Sequence, residues 1–282
     1  MKGLLPYTIN VGGKLMDLSE PQVMGILNVT PDSFYSDSRK NTELEIGNRV
    51  SSILAEGGSI LDIGAYSSRP GAANISVQEE MARLRRGLQI LRDIAPDAVV
   101  SVDTFRSDVA KMCVQEYNVQ IVNDISGGEL DDRMFGTVAE LGVPYILMHM
   151  KGNPQTMQQE PHYDDLMSEM LRYFGNKVQQ LHELGVKDII LDPGFGFAKT
   201  LEHNYELMNR MQDLQVLKLP MLVGISRKSM IYRLLGGTPH EALNGTSVLN
   251  TLALLKGASV LRVHDVKEAT EVVRIVKKML AC

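Results

Sequence analysis

Polar side chains recur along this chain directly after short apolar runs, and their types divide by charge. Asn28 follows the first run. The second leads into Gly64-Ala65-Tyr66-Ser67-Ser68-Arg69-Pro70-Gly71. Asp103 and Thr104 follow the third run, Asn123 and Asp124 the fourth, His149 the fifth and Asp192 the sixth. The seventh leads to Ser226-Arg227-Lys228-Ser229 and the eighth to Arg262, His264 and Asp265. The acidic and amide group (Asp103, Asn123, Asp124, Asp192) suits a planar heterocycle rich in N–H donors, because a carboxylate accepts two parallel N–H bonds from such an edge. The cationic group (Arg69, Lys228, Arg262, His264) suits a phosphate. Asn28 belongs beside the cations once the runs are set in a ring. It is an oxygen ligand of the kind Mg2+ takes alongside phosphate oxygens. A lone Asp at a strand end commonly caps a turn or helix, and Asp124 and Asp265 also read that way. His149, after a buried run, reads equally as a structural histidine. Eight run ends turning polar together exceed what capping requires.

These residues need a frame that gathers eight strand ends. The apolar runs span 23–27, 60–63, 99–102, 120–122, 145–148, 189–191, 221–223 and 260–263, and 282 residues over eight runs gives about 35 per unit. Between them lie segments of helical period. Met81, Leu84, Leu88 and Leu91 step by threes and fours through 77–94. Met167, Met170, Leu171, Phe174, Val178, Leu181 and Leu184 do so through 166–184. Strands alternating with helices imply a parallel sheet. Eight such units are the number that closes a (β/α)8 barrel, whose chemistry sits at the C-terminal ends of its strands. A doubly wound open sheet is the competing arrangement. Residues 7–15, turning at Gly12-Gly13, predict a small hairpin within an N-terminal extension over 1–20. The whole of 1–282 reads as one domain.

Composition narrows the function classes. Only 5% of residues are aromatic and there is no Trp, so an aliphatic core of buried parallel strands is expected. With 29 basic and 34 acidic residues the net charge is −5, which argues against a nucleic-acid partner. Cys113 and Cys282 supply neither a disulfide framework nor a zinc set. Residues 1–18 lack the apolar core of a signal peptide, and no run approaches membrane-spanning length, so no membrane partner and a cytoplasmic location are expected. The 16 Met residues read as core filler. Gly-Phe-Gly-Phe-Ala-Lys-Thr at 194–200 lacks the spacing of a phosphate loop, and no G-x-G-x-x-G follows the first strand.

Taken in order from residue 24 to 265, these motifs resemble the dihydropteroate synthase family, the folate-synthesis enzymes that sulfonamides target. The resemblance rests on Met24-Gly25-Ile26-Leu27-Asn28-Val29-Thr30-Pro31-Asp32-Ser33-Phe34, Ser68-Arg69-Pro70-Gly71, Ser101-Val102-Asp103 and Asn123-Asp124. It continues through Met148-His149-Met150-Lys151-Gly152, Asp192-Pro193-Gly194-Phe195-Gly196-Phe197, Ser226-Arg227-Lys228-Ser229 and Arg262-Val263-His264-Asp265. It implies a (β/α)8 barrel. It also implies a transferase that joins 6-hydroxymethyl-7,8-dihydropterin pyrophosphate to p-aminobenzoate, giving 7,8-dihydropteroate and pyrophosphate by an SN1-like displacement with Mg2+. Carried over motif by motif, Asp103, Asn123, Asp192 and Lys228 hold the pterin, and Asn28, Arg262 and His264 hold the pyrophosphate with Mg2+. Ser68, Pro70, Phe197, Lys228 and Ser229 contact p-aminobenzoate. Arg69 and the loop carrying Asp37 close over the site. The family also implies a homodimer through late helices. Two departures stand out: Tyr66 and Ser68 occupy positions where the family usually has Glu and Thr, and Tyr35 follows Phe34 in the first loop as an added residue. The alternatives are a methyltetrahydrofolate–corrinoid methyltransferase, a related barrel, and a catalytically silent pterin-binding homologue.

Overall fold

The computed structural model describes residues 7–29, 36–66, 74–152 and 161–282, with the backbone alone over 36–42. A hairpin comes first. Strands β1 (Thr8–Val11) and β2 (Lys14–Asp17) pair antiparallel. Gly12 and Gly13 turn between them at φ 60° and 86°, the left-handed backbone that a two-residue hairpin loop of this type requires.

Strand β3 (Gln22–Asn28) then opens a regular alternation. It is followed by α1 (Ser36–Ala55), β4 (Ile60–Gly64), α2 (Val77–Ile94), β5 (Val99–Asp103), α3 (Ser107–Tyr117), β6 (Ile121–Asp124) and α4 (Met134–Leu141). The second half runs β7 (Tyr145–Met148), α5 (Leu166–Glu183), β8 (Ile189–Asp192), α6 (Leu201–Arg210), β9 (Met221–Val223), α7 (Ser229–Leu235), α8 (Leu243–Leu255), β10 (Ala258–Val263) and α9 (Val266–Leu280). Short 3-10 helices occupy Met211–Leu217 and Pro239–Glu241. The eight strands β3 to β10 are parallel and form a closed barrel. Closure is made by β10 lying beside β3, with Leu261 opposite Val23 and Arg262 opposite Met24. That pairing excludes the open sheet.

Alternation along each strand sorts the side chains into layers. Outward residues such as Leu61, Ile63, Val102, Leu147, Leu191, Val223 and Leu261 pack against the apolar stripes of the helices, including Leu84, Leu88 and Leu91 of α2 and Met170, Phe174 and Leu181 of α5. Inward residues near the strand starts (Met24, Ile60, Ile121, Ile146, Ile190, Leu222 and Val260) form a second apolar cluster. Ile9, Val11 and Leu18 belong to that cluster, so the hairpin plugs the N-terminal end of the barrel. Two residues further along four of these strands the inward position turns polar: Asp62 after Ile60, Asn123 after Ile121, Asp192 after Ile190 and Arg262 after Val260. The plug is thus the dry base on which a charged layer rests.

Leu18 is fully buried in the plug. Leu18→Ala is expected to lower the unfolding free energy by about 2–5 kcal/mol, measured by denaturant titration. A loss below about 1 kcal/mol would mean that the hairpin does not seal the barrel.

Candidate active site

The charged layer is organised around one guanidinium. Arg262, entering from β10, donates through Nε to Asp62 Oδ2 at 2.6 Å and through Nη2 to Asp103 Oδ2 at 2.6 Å. Asn123 Nδ2 donates to the same Asp62 oxygen at 3.1 Å. Asp62 is fully enclosed, while the side chains of Asp103 and Arg262 are 22% and 20% exposed. The cluster therefore runs from the barrel interior out to its mouth. Burial pushes the Asp103 carboxyl up to about 7, with Arg262 opposing and Asp62 adding to the rise. Burial alone would lower Arg262, but Asp62 and Asp103 reverse this and hold it firmly cationic.

Beside this cluster, β8 ends in Asp192, which accepts the Gly194 N–H at 2.8 Å. Burial raises its pKa, against the pull of Lys228. Lys228 is pushed down to about 8 by burial, with Asp192 opposing. Its Nζ donates to the Phe195 carbonyl and lies 4.5 Å from the centre of the Phe197 ring. Ile125, Met148, Met150 and Ala198, with Phe105 and Phe197 packed on them, give the mouth an apolar wall. A flat ligand meeting this wall would present its N–H edge to Asp103, Asn123 and Asp192.

Asn28 ends β3 with an exposed side chain. His264 follows β10; burial first, then Arg262, pushes it down to about 4. At neutral pH it is therefore an uncharged hydrogen-bonding group, although the sequence pattern groups it with the cations. Ser229 begins α7 and is half-buried.

Asp103, Asn123, Asp192, Lys228 and Arg262 thus meet in one cavity mouth, with Asn28, His264, Phe197 and Ser229 around it. The expected separation into acidic and basic halves is not what the structure has, because Arg262 crosses to the carboxylates. Asp124 is a cap: it accepts from Ser126 N at 2.7 Å, Gly128 N at 2.9 Å and the Tyr145 hydroxyl at 2.7 Å, on the helix side of the barrel. The Asp265 side chain makes no cap bond to α9 and instead accepts from Arg227 at 2.9 and 2.8 Å. Asp62 is absent from the sequence expectations because it hides inside an apolar run; a carboxylate on the inward face of Ile60-Leu61-Asp62-Ile63-Gly64 is the available signal. Ser68, Arg69, Pro70 and the Asp37 side chain lie outside the described residues. Tyr66, at the position of the family's Glu, donates to Asn74 Oδ1 at 3.0 Å and packs edge-on against Phe105 with ring centres 5.0 Å apart.

Residues 24–264 match the model of the family described as "Pterin binding enzyme". The dihydropteroate synthase of Escherichia coli strain K12 is 41% identical over 277 residues, covering 95% of each chain. A crystal structure of the Yersinia pestis dihydropteroate synthase in a sulfonamide drug complex superposes with a TM-score of 0.87 at 38% identity, covering 98% of this chain and 100% of that one. The Thermus thermophilus dihydropteroate synthase in complex with 4-aminobenzoate superposes with a TM-score of 0.86 at 33% identity, covering 97% and 100%.

Replacing Arg262 by Met strands Asp62 in the interior. The expected cost is about 3–5 kcal/mol at pH 8. The loss should shrink toward pH 5. Without the guanidinium the Asp103 carboxyl rises further, and it holds a proton in the folded protein where the unfolded chain has none. Denaturant titrations at both pH values read this. A loss that is equal at the two, or larger at pH 5, would contradict the shared ion pair.

Proposed function

The chain belongs to the pterin binding enzymes and, within them, to the dihydropteroate synthases, transferases of folate synthesis; from that premise we propose how its site performs the reaction. The substrates are 6-hydroxymethyl-7,8-dihydropterin pyrophosphate and p-aminobenzoate, and the products are 7,8-dihydropteroate and pyrophosphate. The observation that carries this reading is the cluster of Asp62, Asp103, Asn123 and Arg262 at the barrel mouth, with Asp192 and Lys228 beside it.

The pterin's N–H edge donates to Asp103, Asn123 and Asp192, with Lys228 at its carbonyl side. Its ring lies on the apolar wall of Ile125, Met148 and Phe197. The pyrophosphate extends toward Asn28, Arg262 and His264. Uncharged His264 supplies an N–H donor and Arg262 supplies charge. Among the described residues, no three His, Cys, Asp or Glu side chains form a metal set. The donor chemistry fits a Mg2+ held mainly by phosphate oxygens, with Asn28 as the chain's own ligand. When bound, that ion supplies positive charge against the leaving pyrophosphate.

Loss of pyrophosphate leaves a CH2 cation conjugated to the pterin ring, and the groups that gather around the leaving oxygens stabilise this dissociative step. No strong base is needed, because the uncharged amine nitrogen of p-aminobenzoate forms the new C–N bond to this CH2 and then gives up one proton to solvent. Phe197, Lys228 and Ser229, with Ser68 and Pro70 from the second loop, hold it in line, so orientation supplies much of the rate. The names of the relatives favour this over the corrinoid methyltransferase alternative.

We also infer a homodimer. The α8 residues Val248, Leu252 and Leu255 and the α9 residues Ile275 and Met279 are 39–67% exposed. Within each helix they recur at steps of three or four, so each helix presents an apolar stripe to solvent. Residues 1–282 act as one unit on small molecules in the cytoplasm. Among the described residues, no helix is long and apolar enough to cross a membrane.

With both substrates and Mg2+, the protein is expected to release pyrophosphate in step with dihydropteroate; pterin binding without release would contradict the synthase reading. Sedimentation should show a dimer that Val248→Glu with Leu252→Glu converts to monomer. A monomeric parent protein would contradict the interface.

A further inference from the structure

The loop between β8 and α6 is gripped by two ammonium groups, of which only Lys228 faces the site. The other is Lys199, 3% exposed and behind the loop. Its Nζ donates to His149 Nδ1 at 3.1 Å, to the Gly194 carbonyl at 3.0 Å and to the Phe197 carbonyl at 3.2 Å. Burial pushes Lys199 down to about 7, with Asp192 opposing; in its ammonium form it has three N–H groups and all are used. Gly194, Gly196 and Ala198 lie at φ 69°, 79° and 48°. This unusual succession of left-handed residues curls the backbone so that the carbonyls of Gly194 and Phe197 face Lys199. The carbonyl between them, Phe195, is taken by Lys228 from the other side.

The surroundings hold this arrangement in place. His149 is 2% exposed, with the ring of Tyr173 edge-on at 4.8 Å. Burial and then Lys199 keep it far below the ordinary histidine range, so the ring is neutral, and accepting at Nδ1 from the Lys199 ammonium requires the ring hydrogen on Nε2. The Tyr163 hydroxyl donates to the Ala198 carbonyl at 2.9 Å. Asn204 of α6 accepts the Gly196 N–H at 2.7 Å. Each tether bears on the stretch that carries Phe197, and the Phe197 ring covers Lys228.

We propose that Lys199, with His149 as its partner, is a positioning residue for the arylamine half of the site: it fixes the Phe197 ring and the Phe195 carbonyl against Lys228. This rests on the transferase reading above. Lys199 touches neither substrate. It acts through the loop, so its loss should fall on the substrate that loop contacts.

Lys199→Met removes all three bonds. Hydrogen bonds to a charged group are typically worth enough that losing such a cluster moves binding tenfold or more. The KM for p-aminobenzoate is expected to rise at least about tenfold, and that for the pterin pyrophosphate to change less than about threefold. Equal rises in both, or no rise in either, would overturn the proposal. If Lys199→Met does not fold, Tyr163→Phe, which frees only the Ala198 carbonyl, should show the same bias toward p-aminobenzoate in smaller measure, and an unbiased effect overturns it. Nitrogen-15 NMR of the histidine rings in the unliganded protein needs no activity at all. His149 should show a neutral ring protonated on Nε2, and an Nδ1-protonated or cationic ring overturns the clamp. A wild-type protein that releases no pyrophosphate while His149 shows the expected tautomer would fault the transferase reading and leave the clamp standing.

Discussion

A single guanidinium shared by two carboxylates inside a barrel governs this structure. Arg262 reaches Asp62 and Asp103 at 2.6 Å each, and Asp62 has no exposure at all. One cation among two carboxylates leaves the cluster short of positive charge. Burial raises the energy of the shortfall, which is why Asp103 rises to about 7. Such a cluster does little for stability compared with an apolar filling of the same volume. Its value lies in being incomplete. A ligand that brings N–H donors to Asp103, Asn123 and Asp192 would supply what the protein withholds.

The rest of the fold makes that cluster possible. Strand alternation places an apolar layer under the charged one, and the N-terminal hairpin seals the layer from below. Closure through β10 and β3 brings Arg262 beside Met24 and therefore across the mouth from β4 and β5. The outward residues of the same strands anchor the helices. Moving β4 or β10 by one residue would exchange Asp62 or Arg262 for an aliphatic neighbour. Register is therefore as much a part of the site as the side chains are.

Much of this is legible in the residues. Eight apolar runs, each ending in polar groups, carry the barrel and the whereabouts of its mouth. Gly12-Gly13 marks the hairpin turn. Asp103, Asn123, Asp192, Lys228 and Arg262 converge as strand-end residues of such a barrel must. What stays hidden depends on contacts far apart in the chain. Asp62 sits among Ile60, Leu61 and Ile63 and reads as part of a buried strand; its role needs Arg262, 200 residues away. Asp124 looks like a member of the acidic group, but alternation turns it outward to Tyr145 and the turn that follows. Lys199 lacks phosphate-loop spacing, and nothing else nearby in the sequence marks it. Its partner His149 lies 50 residues earlier, so only the folded barrel brings them together. Protonation is least readable of all: nothing in the sequence tells that His264 is uncharged at neutral pH.

Burial pushes the Asp103 carboxyl up to about 7, and under the proposed function the N–H edge of a pterin favours its ionised form. Proton exchange on pterin binding tests this most directly, by titration calorimetry between pH 6 and 8 in buffers of different ionisation heat. Ligand N–H groups stabilise the ionised Asp103, so its pKa falls on binding. Proton release should be largest near pH 6 to 7 and fade by pH 8. Asp103→Asn should abolish it. Binding with no proton release across that range, or with uptake, would contradict the role given to Asp103.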